Sequence, residues 1–316
     1  MKRTLRFSWI SMLMLTLFLT GCGVNDDQSS KDNKETKKGE EIKDYTVTDD
    51  TGKKIKFEKI PEKVVSLQPS NTEILFALEQ GDKVVGVTDF DNYPEEAKDI
   101  EHVSDSVNIN AEKIIALKPD AIIAYTISDE TALKPLEDAG IPVFIIKSAA
   151  NFDDVYGDIG QIAKVMGVAE KGDELVKDIK SQITSVEEKV KTLDEKEQTY
   201  FEISPAPEIY TAGSETFQNE ILDTAGIKNI FDDQKGWVKV SDEEIVKRNP
   251  KSIITTATYA DDAVGEIKSR KGWEDIDAVK NDDVHLLDEN VMSRPGPRIG
   301  EAVELAAKTV YPDLFK

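Results

Sequence analysis

From Tyr45 onward the apolar residues fall into short runs that alternate between two spacings. Tyr45–Phe57 reads as a hairpin, in which TVT and KIKF flank Asp49-Asp50-Thr51-Gly52 and Gly52 supplies the turn. Continuous apolar runs at KVVSL (63–67), KVVGV (83–87), AIIAY (121–125) and VFII (143–146) predict strands. Between them NTEILFAL (71–78), AEKIIAL (111–117, behind Asn110) and residues 130–139 predict helices. Short strands without polar alternation are covered on both faces, so the pattern predicts an α/β fold with mainly parallel sheets.

The pattern then repeats. EKIIALKPDAIIAY (112–125) and EEIVKRNPKSIITT (243–256) share Glu112/Glu243, Ile114/Ile245, Pro119/Pro250, Ile122/Ile253 and Ile123/Ile254. Each reads helix, proline stop, strand. Two similar Rossmann-like lobes are expected, residues 45–152 and 194–316, joined by a helical segment at 153–193. In that segment Leu175, Ile179, Ile183, Val186 and Val190 form one apolar stripe at helical spacing. A helix from Glu170 to Thr192 would be roughly 35 Å long and would restrict relative movement of the lobes.

The first 44 residues follow another logic. FSWISMLMLTLFLT (7–20) is an apolar run behind Lys2, Arg3 and Arg6. It is too short for a permanent span of a ~30 Å hydrocarbon layer and suits a signal-peptide core. It ends in Leu19-Thr20-Gly21-Cys22, the pattern of a bacterial lipobox, so residues 1–21 are expected to be removed and Cys22 lipidated. Residues 22–44 are polar enough to predict a flexible tether spanning on the order of 25 Å. The layout favours capture outside the cell over intracellular chemistry.

Charge and composition narrow the function. The chain has 316 residues, which suggests two domains, and a net charge of −22. Residues 22–316 alone carry 37 basic and 62 acidic groups, a surface that repels phosphate backbones and makes nucleic acid an unsuitable partner. The single cysteine is taken by the lipobox, and His102 and His285 lie far apart, so no thiol nucleophile and no histidine–thiolate metal cluster is predicted. No phosphate loop, G-x-S-x-G elbow or H-E-x-x-H helix occurs. Paired carboxylates abound by chance among 62 acids, and nothing in the sequence selects one pair for glycosidase chemistry.

Five stretches carry a resemblance: KVVSLQPSNTEILFALEQGDKVVGV, YPEEAK, AEKIIALKPDAII, FQNEILDTAGIKNIF and SRPGPRIGEAVELAAKTVYP. In this order, with a long linking helix between the halves, the body resembles the periplasmic-binding family of corrinoid, iron-siderophore and haem ABC importers. Through the tail RPGPRIGEAVE and the absence of obvious haem ligands it resembles vitamin B12-binding lipoproteins of Gram-positive bacteria. The resemblance implies a monomeric binding protein, not an enzyme, lipid-anchored on the outer face of the cell membrane and serving an ABC permease with its ATPase. It implies no cofactor of its own and no metal site, the ligand being a corrinoid. It also implies an exposed docking glutamate on each lobe. Glu73 matches in the P-S-x-T-E motif and Glu220 in N-E-I-L, although Ser70 and Glu73 also fit a helix capping box.

By the logic of open α/β sheets the ligand cleft lies at the carboxyl ends of the strands. Loops there offer Ser70, Phe90, Tyr93, Tyr125, Trp237 and Tyr259, rings suited to a flat macrocycle. Residues 22–316 hold only four arginines, and Arg294 and Arg298 fall together in a Pro/Gly loop. Either arginine could meet ligand amides or carboxylates, or Arg298 could tie down the C-terminal segment. A ferric hydroxamate is the nearest rival ligand and haem the next. An adhesin or cell-wall enzyme is the competing class.

Overall fold

A computed structural model describes residues 44–105, 108–126 and 130–316. The expected signal peptide, Cys22 and the tether up to residue 43 lie outside the described residues.

The body begins with the predicted hairpin, β1 (Tyr45–Thr48) paired antiparallel with β2 (Lys54–Phe57), and Gly52 takes a φ of +84° in the turn. The first lobe continues with β3 (Val64–Ser66), α1 (Pro69–Ala77), β4 (Val84–Thr88), β5 (His102–Ser104), α2 (Ala111–Leu117), β6 (Ala121–Tyr125), α3 (Lys134–Asp138) and β7 (Val143–Ile146). Its five strands are all parallel, in the order β5-β4-β3-β6-β7. The expected helix at 130–139 is broken, with a 3-10 turn at Glu130–Ala132 before α3.

The linking segment is a helical hairpin of α4 (Phe152–Val165) and α5 (Ala169–Val190), not one helix alone. They pack closely: a Cβ on Gly172 would come within 2.6 Å of the Ala163 Cβ. The predicted stripe on α5 is realised, with Ile179, Ile183, Val186 and Val190 buried. The second lobe comprises β8 (Gln198–Ser204), β9 (Tyr210–Ala212), α6 (Phe217–Thr224), β10 (Lys228–Asn229), β11 (Trp237–Lys239), α7 (Asp242–Arg248), β12 (Ser252–Thr255), α8 (Ala263–Lys268), α9 (Asp277–Lys280), β13 (Val284–Leu286), α10 (Glu289–Ser293) and α11 (Ile299–Val310). Strands β8, β12, β13 and β10 run parallel, while β9 and β11 form an antiparallel edge.

The internal repeat is a structural one. Asn110 caps α2 and Ser241 caps α7 through their side chains. Both helices end on a left-handed residue, Lys118 and Asn249, and each leads through a buried proline into a central parallel strand, β6 or β12. One apolar cluster runs from Ile74 and Phe144 of the first lobe through Ile159, Ile162, Ile179 and Ile183 of the hairpin to Ile221 and Val303 of the second. The lobes therefore share a core through the linking hairpin.

In the first lobe the carboxyl ends of the strands make one edge, where α1 and α4 begin. The opposite edge carries the start of β1 and a groove lined by Phe57, Ile115, Lys118, Pro119, Gly140 and Pro142.

Candidate functional site

Four of the expected cleft rings are largely exposed, an unusual state for side chains of this size. Phe90 is 57% exposed, Tyr93 46%, Trp237 60% and Tyr259 66%. Phe90 and Tyr93 follow β4 at its carboxyl end, and half-buried Tyr125 closes β6 at the same edge. Tyr259 follows β12 at the corresponding edge of the second lobe. Trp237 stands on edge strand β11 and not in a loop, its indole N–H donating to Gln218 Oε1 at 3.2 Å.

The two edges face one another, as one ion-pair cluster proves. Glu73 on α1 is buried, its side chain 1% exposed, and accepts from two guanidinium groups of the second lobe. Arg298 donates from Nε to Oε2 at 2.8 Å and from Nη2 to Oε1 at 2.6 Å, and Arg294 adds Nη1 to Oε1 at 3.0 Å. The second arm of Arg294 donates to the Phe90 carbonyl at 2.8 Å, and the Arg298 guanidinium lies 4.1 Å over the Tyr93 ring. Gly296, between the two arginines, rests against Ser70.

These contacts correct several sequence expectations. Glu73 is not an exposed docking carboxylate, because two arginines enclose it. Nor does it close a capping box: the N-cap position of α1 is Gln68, with no side-chain cap. Ser70 is buried beneath the Pro/Gly loop. Arg294 and Arg298 are held by the protein's own Glu73 and Phe90, and Arg298 does tie down the C-terminal segment.

Glu220 on α6 is half-buried, and its Oε2 accepts from the Phe152 amide at the start of α4 at 2.8 Å. Beside this bond Phe152 and Phe217 meet edge to face at 6.0 Å. Burial and nearby Asp153 and Asp154 raise the Glu220 pKa against the lowering effect of the Phe152 amide. Glu220 thus fastens the second lobe to the linking hairpin instead of presenting a free carboxylate. Trp237 is bonded to the neighbouring Gln218, which places it near the same seam.

The other two arginines of the body are also committed. Arg248 pairs with Asp233 and Glu244, and Arg270 with Glu202 and Glu266. Exposed carboxylates in equivalent places on the two lobes do exist, at Glu112 and Glu243. Both occupy the first turn of the repeated helix, α2 or α7. Each helix runs antiparallel to the strand it precedes, so both first turns lie at the carboxyl-end edge. The sequence signal was present: these are the glutamates aligned by the internal repeat.

Chemically, the site is a seam between two strand-end edges, flanked by exposed rings and closed at its base by a buried carboxylate and two guanidinium groups. Among the described residues no three His, Cys, Asp or Glu side chains converge on a metal position.

Comparison with known proteins bears on the family and the fold. The periplasmic binding protein family profile matches residues 64–291. The chain is 44% identical over 313 residues, 98% of each chain, to the uncharacterised ABC transporter substrate-binding lipoprotein YvrC of Bacillus subtilis (strain 168). It is 29% identical over 246 residues to a vitamin B12-binding protein of Vibrio parahaemolyticus, covering 77% of this chain and 86% of the relative. Among solved structures, a possible iron-binding (periplasmic solute-binding) protein of Staphylococcus epidermidis superposes with a TM-score of 0.72 at 37% identity, covering 80% of this chain and all of the other.

Proposed function

The chain belongs to the periplasmic binding protein family, and from that premise we propose that it captures a corrinoid outside the cytoplasm and hands it to an ABC permease. It is a substrate-binding protein of an ABC transporter and not an enzyme. The observation that carries the corrinoid reading is the set of exposed rings, Phe90, Tyr93, Trp237 and Tyr259, borne on two lobes whose carboxyl-end edges meet. A corrinoid is broad and apolar on its faces and brings its own cobalt, so rings rather than a metal cage suit it. Every arginine of residues 22–316 is paired with a carboxylate. That arrangement favours a ligand of low net charge over a strongly anionic ferric catecholate.

A second reading, a ferric hydroxamate, is supported by the likeness to the possible iron-binding protein of Staphylococcus epidermidis. Lipidation of Cys22 would hold the protein at the outer face of the membrane, consistent with a lipoprotein relative aligned over nearly its whole length.

Calorimetry and thermal shift with cyanocobalamin, a ferric hydroxamate, a ferric catecholate and haemin test the reading. A ligand at 100 times its Kd raises stability by about 2.7 kcal/mol. Cyanocobalamin should bind 1:1, and Trp237→Ala should weaken it about 10- to 100-fold, the worth of burying one aromatic side chain. A response to the hydroxamate with none to cyanocobalamin would leave the family intact and make the corrinoid wrong.

A further inference from the structure

The Phe90–Tyr93 segment carries two exposed rings yet is fixed from two directions. Within the first lobe, Asp91 Oδ2 accepts from the Thr88 amide at 2.8 Å and from its hydroxyl at 2.5 Å. The Phe90 amide donates to Thr88 Oγ1 and the Asp91 amide to the Thr88 carbonyl, both at 3.2 Å. From the second lobe, Arg294 holds the Phe90 carbonyl and Arg298 lies on the face of Tyr93. Glu73 immobilises both guanidinium groups.

A planar guanidinium on a ring face restricts ring rotation as well as attracting it. A ring already fixed loses less freedom when a ligand covers it, and preorganisation of this kind improves binding without a new contact. We propose that Arg294 and Arg298 are positioning residues for ligand capture, which, held on Glu73, preset Phe90 and Tyr93 as one wall of the cleft before the ligand arrives. Arg298 occupies one face of Tyr93, so the ligand meets the other face or the edge. The inference rests on the reading of these rings as ligand-facing.

Hydrogen exchange of residues 88–94 in the full chain, with stopped-flow association of cyanocobalamin, tests it. In Arg298→Lys and Arg294→Lys the Thr88, Phe90 and Asp91 amides should exchange about tenfold faster, and cyanocobalamin should associate more slowly. Tyr93→Phe keeps the stacked ring and should keep wild-type exchange, whereas Tyr93→Leu should match Arg298→Lys. Unchanged exchange at 88–94 in the lysine variants, even with a lowered Tm, overturns the proposal and leaves the arginines as a lobe contact only. Should the lysine variants fail to fold, Tyr93→Leu, which leaves the Glu73 pairs in place, decides by the same measurement. If wild-type protein ignores cyanocobalamin, the corrinoid reading fails by itself and the exchange result still stands.

Discussion

Arg298 spans the Glu73 carboxylate with two hydrogen bonds, at 2.8 and 2.6 Å, although 225 residues separate the pair in sequence. The consequence for stability is direct. Glu73→Ala leaves two mostly buried guanidinium groups without their carboxylate, and loss of one partner from such a cluster costs about 3–5 kcal/mol. Urea unfolding should show a drop of that size. A surface glutamate used only for docking would change stability by no more than about 0.5 kcal/mol.

Docking is expected at Glu112 and Glu243, the exposed first-turn pair of α2 and α7. Two carboxylates on two lobes orient a partner and raise its association rate more than they add affinity. Glu112→Ala with Glu243→Ala should reduce stimulation of the cognate transporter in vesicles, most strongly at low salt where the charges are least screened, while cyanocobalamin affinity stays at its wild-type value. Full stimulation by the double variant would remove both residues from the interface.

Asp158 on α4 is buried, and burial, then Asp50 and Asp154, push its pKa from 3.8 up to about 8. Between these values the native state keeps a proton that the unfolded chain has released. Stability contributed by this group is therefore lost as pH rises from about 4 to 8. Asp158→Asn should stabilise the protein at pH 8 by a few kcal/mol and flatten the pH profile across that window. Some slope should remain, because burial also raises the pKa of Asp91 and Glu220. A variant less stable than wild type at pH 8 would contradict this account.

Closure around the ligand should be small. The linking hairpin shares one apolar core with both lobes, and the Glu73 and Glu220 contacts fasten the seam at two points. Solution scattering with and without ligand should give nearly the same radius of gyration. A wide clamshell movement would require the Glu73 cluster to open.

Local structure was legible in the sequence. The strands 121–125 and 143–146 and the helix 111–117 fall at their predicted residues, since apolar period, cap and proline stop act over a few positions. The exposure of Tyr93 and Trp237 also follows from their polar neighbours, whereas Phe90 and Tyr259 could equally have been core by sequence. The role of Glu73 did not follow. Its neighbour Ser70 imitates a helix cap, while its true partners arrive from the far end of the chain. Glu220 escaped for the same reason, its partner being a backbone amide in another segment. Arginine scarcity pointed toward this loop, and the carboxylate it meets in the structure is the protein's own.

The body starts at Tyr45, on the edge of the first lobe opposite the exposed rings, with its hydroxyl bonded to the Val165 carbonyl and Lys56 paired with Asp44. The first described strand therefore enters the body at the pole remote from the rings. A body held through its amino end would turn those rings away from the point of attachment, and delivery to a partner on that side would require the whole body to turn over.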